Sequence, residues 1–158
     1  LHDLHLNLAH FGGFEETRPN ARNPGQDWED TIAVMIGDYP NLYFDLAYWS
    51  EVSGTQDAAR AQVIAKMRAL LTARPRMHDR IMYGSDWSML GQEPGHPAYF
   101  ARVEATLRED LGFDPAQITA AMGGNAARYL GLDRPGKQRQ RLEAFHAANP
   151  IYRKNFMT

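Results

Sequence analysis

Ile81-Met82-Tyr83-Gly84-Ser85-Asp86-Trp87 is the stretch that decides the fold. An apolar, strand-favouring run leads into a Gly-Ser pair, and a carboxylate stands where the run ends. That profile predicts a short buried strand from Ile81 to Ser85 with Asp86 at its C-terminal tip. Upstream, Ala59, Val63, Met67, Leu70 and Leu71 recur at helical spacing, predicting a helix from about Gln56 to Ala73 that Arg74-Pro75 stops. Before it, Leu42-Tyr43-Phe44-Asp45-Leu46-Ala47-Tyr48 is dense in aromatic and aliphatic residues and predicts a second strand, followed by a Ser/Gly/Thr loop.

Further upstream, Asp27 can cap a helix to about Asp38 with Trp28, Ile32, Met35 and Ile36 on one face, broken by Tyr39-Pro40-Asn41. Leu4 to His10 alternates apolar and polar residues and meets Phe11-Gly12-Gly13, which predicts a strand ending in a glycine loop. The segment to about Gln26 reads as a long loop. Downstream, a loop runs from Trp87 to His96, and Pro97 opens a helix to about Leu111. Asp114-Pro115 starts another through Met122, Gly123-Gly124 ends it, and Asn125 caps a short helix to Leu130. Gln138 to Ala148 forms a tail helix whose Arg139 and Arg141 make a solvated face. Strands alternating with helices predict a parallel α/β sheet.

The bulk composition agrees. The chain has 158 residues, 44% hydrophobic and 23% charged, enough for one domain with a real core. Its 17 Lys and Arg against 19 Asp and Glu leave a net charge of −2, which offers no footprint for nucleic acid. With no cysteine, a disulfide scaffold and a thiolate zinc site are excluded, and a reducing cytoplasm is the expected location. No apolar run is long enough to span a bilayer. The chain starts at Leu1 and enters a strand almost at once, so a preceding part of the protein is expected.

In parallel α/β folds, ligands gather at the carboxyl ends of the strands. The predicted rim receives His10, then Trp49 and Ser50, then Asp86. An imidazole and a carboxylate suit a zinc-like divalent ion. A carboxylate can also accept a proton from water, and an imidazole can orient a substrate or shuttle protons. The plainer alternatives are a structural or solvated His10 and an Asp86 that caps the next turn. A Rossmann-type sheet lacks support, because Gly12-Gly13 is not followed at once by a helix and no G-x-G-x-x-G appears.

Three segments resemble the amidohydrolase superfamily, in its decarboxylase and lactonase branch. Leu6-Asn7-Leu8-Ala9-His10-Phe11-Gly12-Gly13 resembles its H-x-G-G segment. Tyr83-Gly84-Ser85-Asp86-Trp87 resembles its G-S-D-x-P segment, with Ser88 where proline is common. Gly124-Asn125-Ala126-Ala127-Arg128-Tyr129-Leu130-Gly131-Leu132 resembles its closing helix. The resemblance implies a (β/α)8 TIM barrel, of which this chain holds the C-terminal portion, about three βα units over residues 1–132 and a helical tail over 133–158. It implies that Asp86 is a metal ligand and a catalytic residue, that His10 is catalytic beside the metal, and that Asn125 is structural. A divalent metal, zinc by expectation, is the implied cofactor.

The family's His-x-His pair is absent, and so is a further histidine ligand. His2 and His5 have the wrong spacing and precede the strand end; His78 lies at the opposite end of the sheet, and His146 in the tail. Trp49, Trp87 and His96 are the expected substrate contacts. The expected function is metal-dependent hydrolysis of a lactone, amide or ester, or non-oxidative decarboxylation (a lyase reaction) of a small carboxylated substrate. The chain alone is expected to be an inactive, incomplete barrel that pairs with copies of itself or with a missing N-terminal half. The alternative is a non-catalytic interaction or structural module, with Trp49, Trp87 and Phe100 as exposed interface aromatics.

Overall fold

Three parallel strands form the centre of the computed structural model, which describes residues 4–13, 27–53 and 57–149. β1 is Leu6–Leu8, β2 is Leu42–Asp45 and β3 is Ile81–Met82, in the spatial order β1-β2-β3. Leu6 pairs with Leu42, Leu8 with Phe44, and Phe44 in turn with Ile81. The predicted alternation of strands and helices is therefore present, as a mixed α/β fold. Each strand is shorter than its apolar run suggests. β1 stops where residues 9–13 coil into a tight turn. β3 stops because the Tyr83 N–H leaves the sheet and donates to Ala121 O at 2.8 Å.

β2 is buried at every position, as expected for a central parallel strand covered on both faces. β1 is one of the two edge strands, and its Leu6 remains exposed. Helix α1, Trp28–Asp38, packs on the turn after β1 and on β2. After the four-residue α2, Ser50–Ser53, helix α3 runs from Asp57 to Ala73 and buries Val63, Ile64, Met67, Leu70 and Leu71 in the core. The expected face of α1 is corrected. Its buried residues are Glu29, Ile32, Ala33 and Ile36, while Trp28 is 62% exposed and Met35 only partly covered. The turn at Gly12 lies close against the Trp28 Cβ, where a Gly12 Cβ would stand 2.5 Å away. Asp27 holds the N-cap position without a side-chain capping bond; its carboxylate pairs with Lys66 Nζ at 2.9 Å and ties α1 to α3.

The second half is helical. α4 is Trp87–Leu90, and a 3-10 turn at His96–Ala98 leads into α5, Tyr99–Ala105, which continues as a π-turn through Asp110. α6, Pro115–Thr119, starts where Asp114-Pro115 suggested, and the structure adds a capping box: the Gln117 N–H donates to Asp114 Oδ1 at 2.8 Å and the Asp114 N–H to Gln117 Oε1 at 2.9 Å. The reading of Gly123-Gly124 as a helix end is corrected. A π-turn over Ala120–Gly124 carries α6 directly into α7, Asn125–Tyr129, with helical dihedrals on either side. The stop comes at Gly131, whose φ is +68°, in a Schellman arrangement: the Leu132 N–H reaches Ala127 O and the Gly131 N–H reaches Arg128 O. The tail helix α8, Lys137–Ala148, exposes Arg139 and Arg141, and Arg139 pairs with Glu143 at 2.9 Å. No helix among the described residues is long and apolar enough to cross a membrane. The loop reading up to Gln26, the Gly54–Gln56 part of the second loop, and His2 lie outside the described residues.

Asn125 is structural, as expected, but it is not a cap. Fully buried, its Nδ2 donates to Ile81 O at 2.6 Å and to His78 O at 3.1 Å, while Arg128 donates to its Oδ1. It bolts α7 to β3. Replacing Asn125 by Ala leaves two carbonyls without this donor, and we expect a loss of about 2–4 kcal/mol, read from urea unfolding midpoints.

Candidate active site

Because the strands are parallel, their carboxyl ends share one edge. The backbone marks that edge. Among the described residues, the non-glycine residues with positive φ are His10 (60°) and Phe11 (43°) after β1, Tyr48 (49°) after β2, and Asp86 (46°) after β3. A side chain in this left-handed region costs about 1–3 kcal/mol and persists only where the surroundings over-determine it. All three strands meet that condition at the same end.

At the first strand end, Phe11 plugs the core. Its ring is fully buried, 4.3 Å from that of Phe44. The turn then needs Gly12, at φ +79°, where a Cβ would stand 2.5 Å from the Trp28 Cβ. With Phe11 driven inward, His10 is left on the exposed side of the turn. Its backbone N–H donates to Asp45 Oδ1 at 3.0 Å, and its ring Nδ1 lies 2.8 Å from Ala47 O. A carbonyl only accepts, so Nδ1 is the donor and Nε2 is the basic nitrogen of the neutral ring.

At the second strand end, Asp45 gathers three donors. Oδ1 accepts from the His10 N–H and from the Ala47 N–H, each at 3.0 Å, and Oδ2 accepts from Asn7 Nδ2 at 2.6 Å. Sequence reasoning passed over Asp45, because it sits inside an apolar run with nothing local to mark it. Gly84 lets β3's extension reach this cluster: a Cβ there would stand 3.0 Å from the Ala47 Cβ and 3.2 Å from the Asp45 Cγ.

Tyr48 follows, and its hydroxyl donates to Glu93 Oε1 at 2.5 Å. That bond, with burial and the charges of Glu93 and Asp86, holds the phenol's pKa above its ordinary value of 10.0. Glu93 is a second residue the sequence did not flag. Its bond pins the loop after α4 across the rim.

Asp86 occupies the N-cap position of α4, but its carboxylate caps nothing. Its backbone carbonyl takes the Met89 and Leu90 N–H groups, and Oδ1 accepts from Ser88 Oγ at 3.2 Å. The capping alternative is thereby answered.

The other candidates scatter. Trp87 is 81% exposed beside Asp86, and His96 is exposed with Nδ1 3.1 Å from Glu93 O. Trp49 is only 3% exposed and belongs to the core, so it is not one of the exposed interface aromatics of the alternative reading. The reason is Tyr99, buried in α5, whose hydroxyl donates to Leu46 O and accepts the Trp49 N–H at 2.9 Å, drawing this segment inward. Ser50 begins α2. Phe100 is exposed. His5 is exposed near the Tyr129 ring, His78 stacks 4.8 Å from Phe113 before β3, and His146 is buried in α8. None of these three joins the rim.

A catalytic zinc site normally takes three protein ligands and a water. Among the described residues no group of three or more His, Cys, Asp and Glu could hold a metal ion. A metal fits this donor set in part only.

The family model described as amidohydrolase matches residues 1–132. No curated protein and no solved structure matches the chain.

Two outcomes follow from the rim. Gly84→Ala must push on Ala47 and Asp45, and is expected to destabilise the chain by about 1–3 kcal/mol in thermal or urea unfolding. Tyr48 ionises above its ordinary value, so the stability it adds is complete below pH 10.0 and is lost as the pH rises through the raised value. Ultraviolet difference titration of wild type against Tyr48→Phe should show the missing phenol titrating late; an ordinary midpoint would contradict the Glu93 bond.

Proposed function

This chain belongs to the amidohydrolase family, and from that premise we propose that it is the C-terminal part of a (β/α)8 barrel that hydrolyses a lactone, amide or ester, or decarboxylates a small carboxylated substrate without oxidation. The observation that carries the reading is the rim itself, where left-handed residues at all three strand ends hold His10, Tyr48 and Asp86 along one edge. Strain of that kind clusters at active sites.

His10 is the proton-transfer residue in this reading. In hydrolysis, Nε2 takes a proton from water as the water oxygen bonds to the substrate carbonyl carbon. The proton then goes to the leaving oxygen or nitrogen as its bond to that carbon breaks. In decarboxylation, His10 first takes up a proton from solvent at Nε2; the electrons of the breaking C–C bond then stay on the substrate carbon, carbon dioxide departs from the carboxylate, and that Nε2 proton passes to the carbon. Trp87 and His96 contact the substrate. Trp49 acts from within the core, through the packing of the segment that carries Ala47 and Tyr48.

A divalent metal, zinc by expectation, supplies a polarised carbonyl or an acidified water when bound. Asp86 would be one ligand to it, and its second carboxylate oxygen would accept a hydrogen bond from the water whose proton His10 takes. The described residues do not complete the ligand set. In this reading the remaining ligands lie outside the described residues, in a preceding part of the barrel or in a further copy. The rival reading, a non-catalytic interaction module, draws support from the exposed Trp87 and Phe100. It gives no reason for a strained His10 and Asp86.

The test uses the full-length parent with lactones, amides, esters and carboxylated aromatic acids as substrates. Asp86→Ala should lose both bound metal and turnover. His10→Asn should keep the metal and lose turnover roughly 100- to 10,000-fold. Wild-type metal content and rate in Asp86→Ala would end the assignment.

A further inference from the structure

The carboxylate that ends β2 is buried in an otherwise apolar strand. Asp45 is 9% exposed, in a strand otherwise made of Leu42, Tyr43 and Phe44. A carboxylate in such a place is unfavourable unless donors meet it. Three do, and two of them belong to the rim.

The Asp45 Oδ1 receives the His10 N–H and the Ala47 N–H together, at 3.0 Å each. Ala47 is the residue whose carbonyl receives the His10 ring, at 2.8 Å. One oxygen thus holds the histidine's backbone in its left-handed conformation and also holds the residue that orients its imidazole. Asn7, on β1 just before the turn, is fixed to the other oxygen at 2.6 Å. Gly84 admits β3 to within contact of the same carboxylate.

From this convergence we propose that Asp45 is a positioning residue for His10, holding the neutral imidazole in the tautomer with its proton on Nδ1 and its lone pair on Nε2. Free histidine favours the opposite tautomer, so the arrangement is one the protein has to impose. Asp45 touches no reacting atom; it acts through Ala47 and His10. The kinetic consequence rests on the reading of His10 as the proton-transfer residue. The tautomer does not.

The experiment is long-range proton–nitrogen correlation NMR of the chain at a pH where His10 is neutral, with His10→Gln identifying its signals among the 6 histidines. Wild type should show the proton on Nδ1. Asp45→Asn should keep it there, because an amide oxygen still accepts both N–H bonds and Asn7 can turn its own amide. Asp45→Ala should move it to Nε2 while circular dichroism stays unchanged. In the full-length parent, Asp45→Ala should lower kcat about 100-fold with KM little changed, the cost of misplacing a catalytic group. Asp45→Asn should restore most of that loss.

A wild-type His10 protonated on Nε2 overturns the proposal. So does a folded Asp45→Ala that keeps the proton on Nδ1, which is what a purely structural tie predicts. Should Asp45→Ala fail to fold, a folded Asp45→Asn with the proton on Nε2 overturns it, and one with the proton on Nδ1 supports it. A parent without turnover, in which the tautomer still follows Asp45, defeats the hydrolase and decarboxylase reading and supports the positioning role.

Discussion

The Asp45 carboxylate meets N–H donors from Asn7 and His10 on one side and from Ala47 on the other. β1 and β2 are paired by only three register positions, so side-chain bonds at their ends carry weight that a longer ladder would share. With the carboxylate satisfied, the chain can hold His10 left-handed, drop Phe11 into the core, and leave the imidazole outside. With it gone, two backbone N–H groups and an amide at this end lose their acceptor together.

The helices close the sheet by the same kind of single buried polar contact. The Tyr99 hydroxyl satisfies both Leu46 O and the Trp49 N–H just beyond β2. The Asn125 amide satisfies Ile81 O and His78 O at β3. In each case a backbone group that the short strand leaves unpaired finds a side chain from a helix 44 to 53 residues away. Buried backbone groups must be paired, and a sheet this small cannot pair them all within itself. The buried Tyr99 of α5 and Asn125 of α7 meet that need just beyond β2 and at β3.

The order of the strands and of the longer helices was legible because it rests on local periodicity, whereas the four-residue helices α2 and α4 fall where the sequence reads as loop, too short to show a period. Val63, Met67, Leu70 and Leu71 marked a helix that exists and buries those residues. The Asp114-Pro115 start was legible because a capping box is a contact over three residues. The misreadings share a cause. Helical spacing puts Trp28 on the buried face of α1, yet it stands at the first residue of the helix against the turn at Gly12 and is exposed. Gly123-Gly124 was read as a stop by composition, but glycine ends a helix only where φ turns positive, and that happens at Gly131.

For the candidate site, the sequence by itself determined which residues stand at the strand ends. Parallel strands put His10 and Asp86 on one edge whatever the details of packing, and the short motifs around them identify the family. Only the tertiary structure decided how those residues are held. Asp45 bonds His10 across 35 positions, and Tyr48 bonds Glu93 across 45. No local pattern announces such pairs, because they depend on strand register and on which side chains the fold leaves without water. The left-handed backbone at His10, Tyr48 and Asp86 has the same origin. No L residue prefers that conformation on its own, and each adopts it here because tertiary contacts offset the strain.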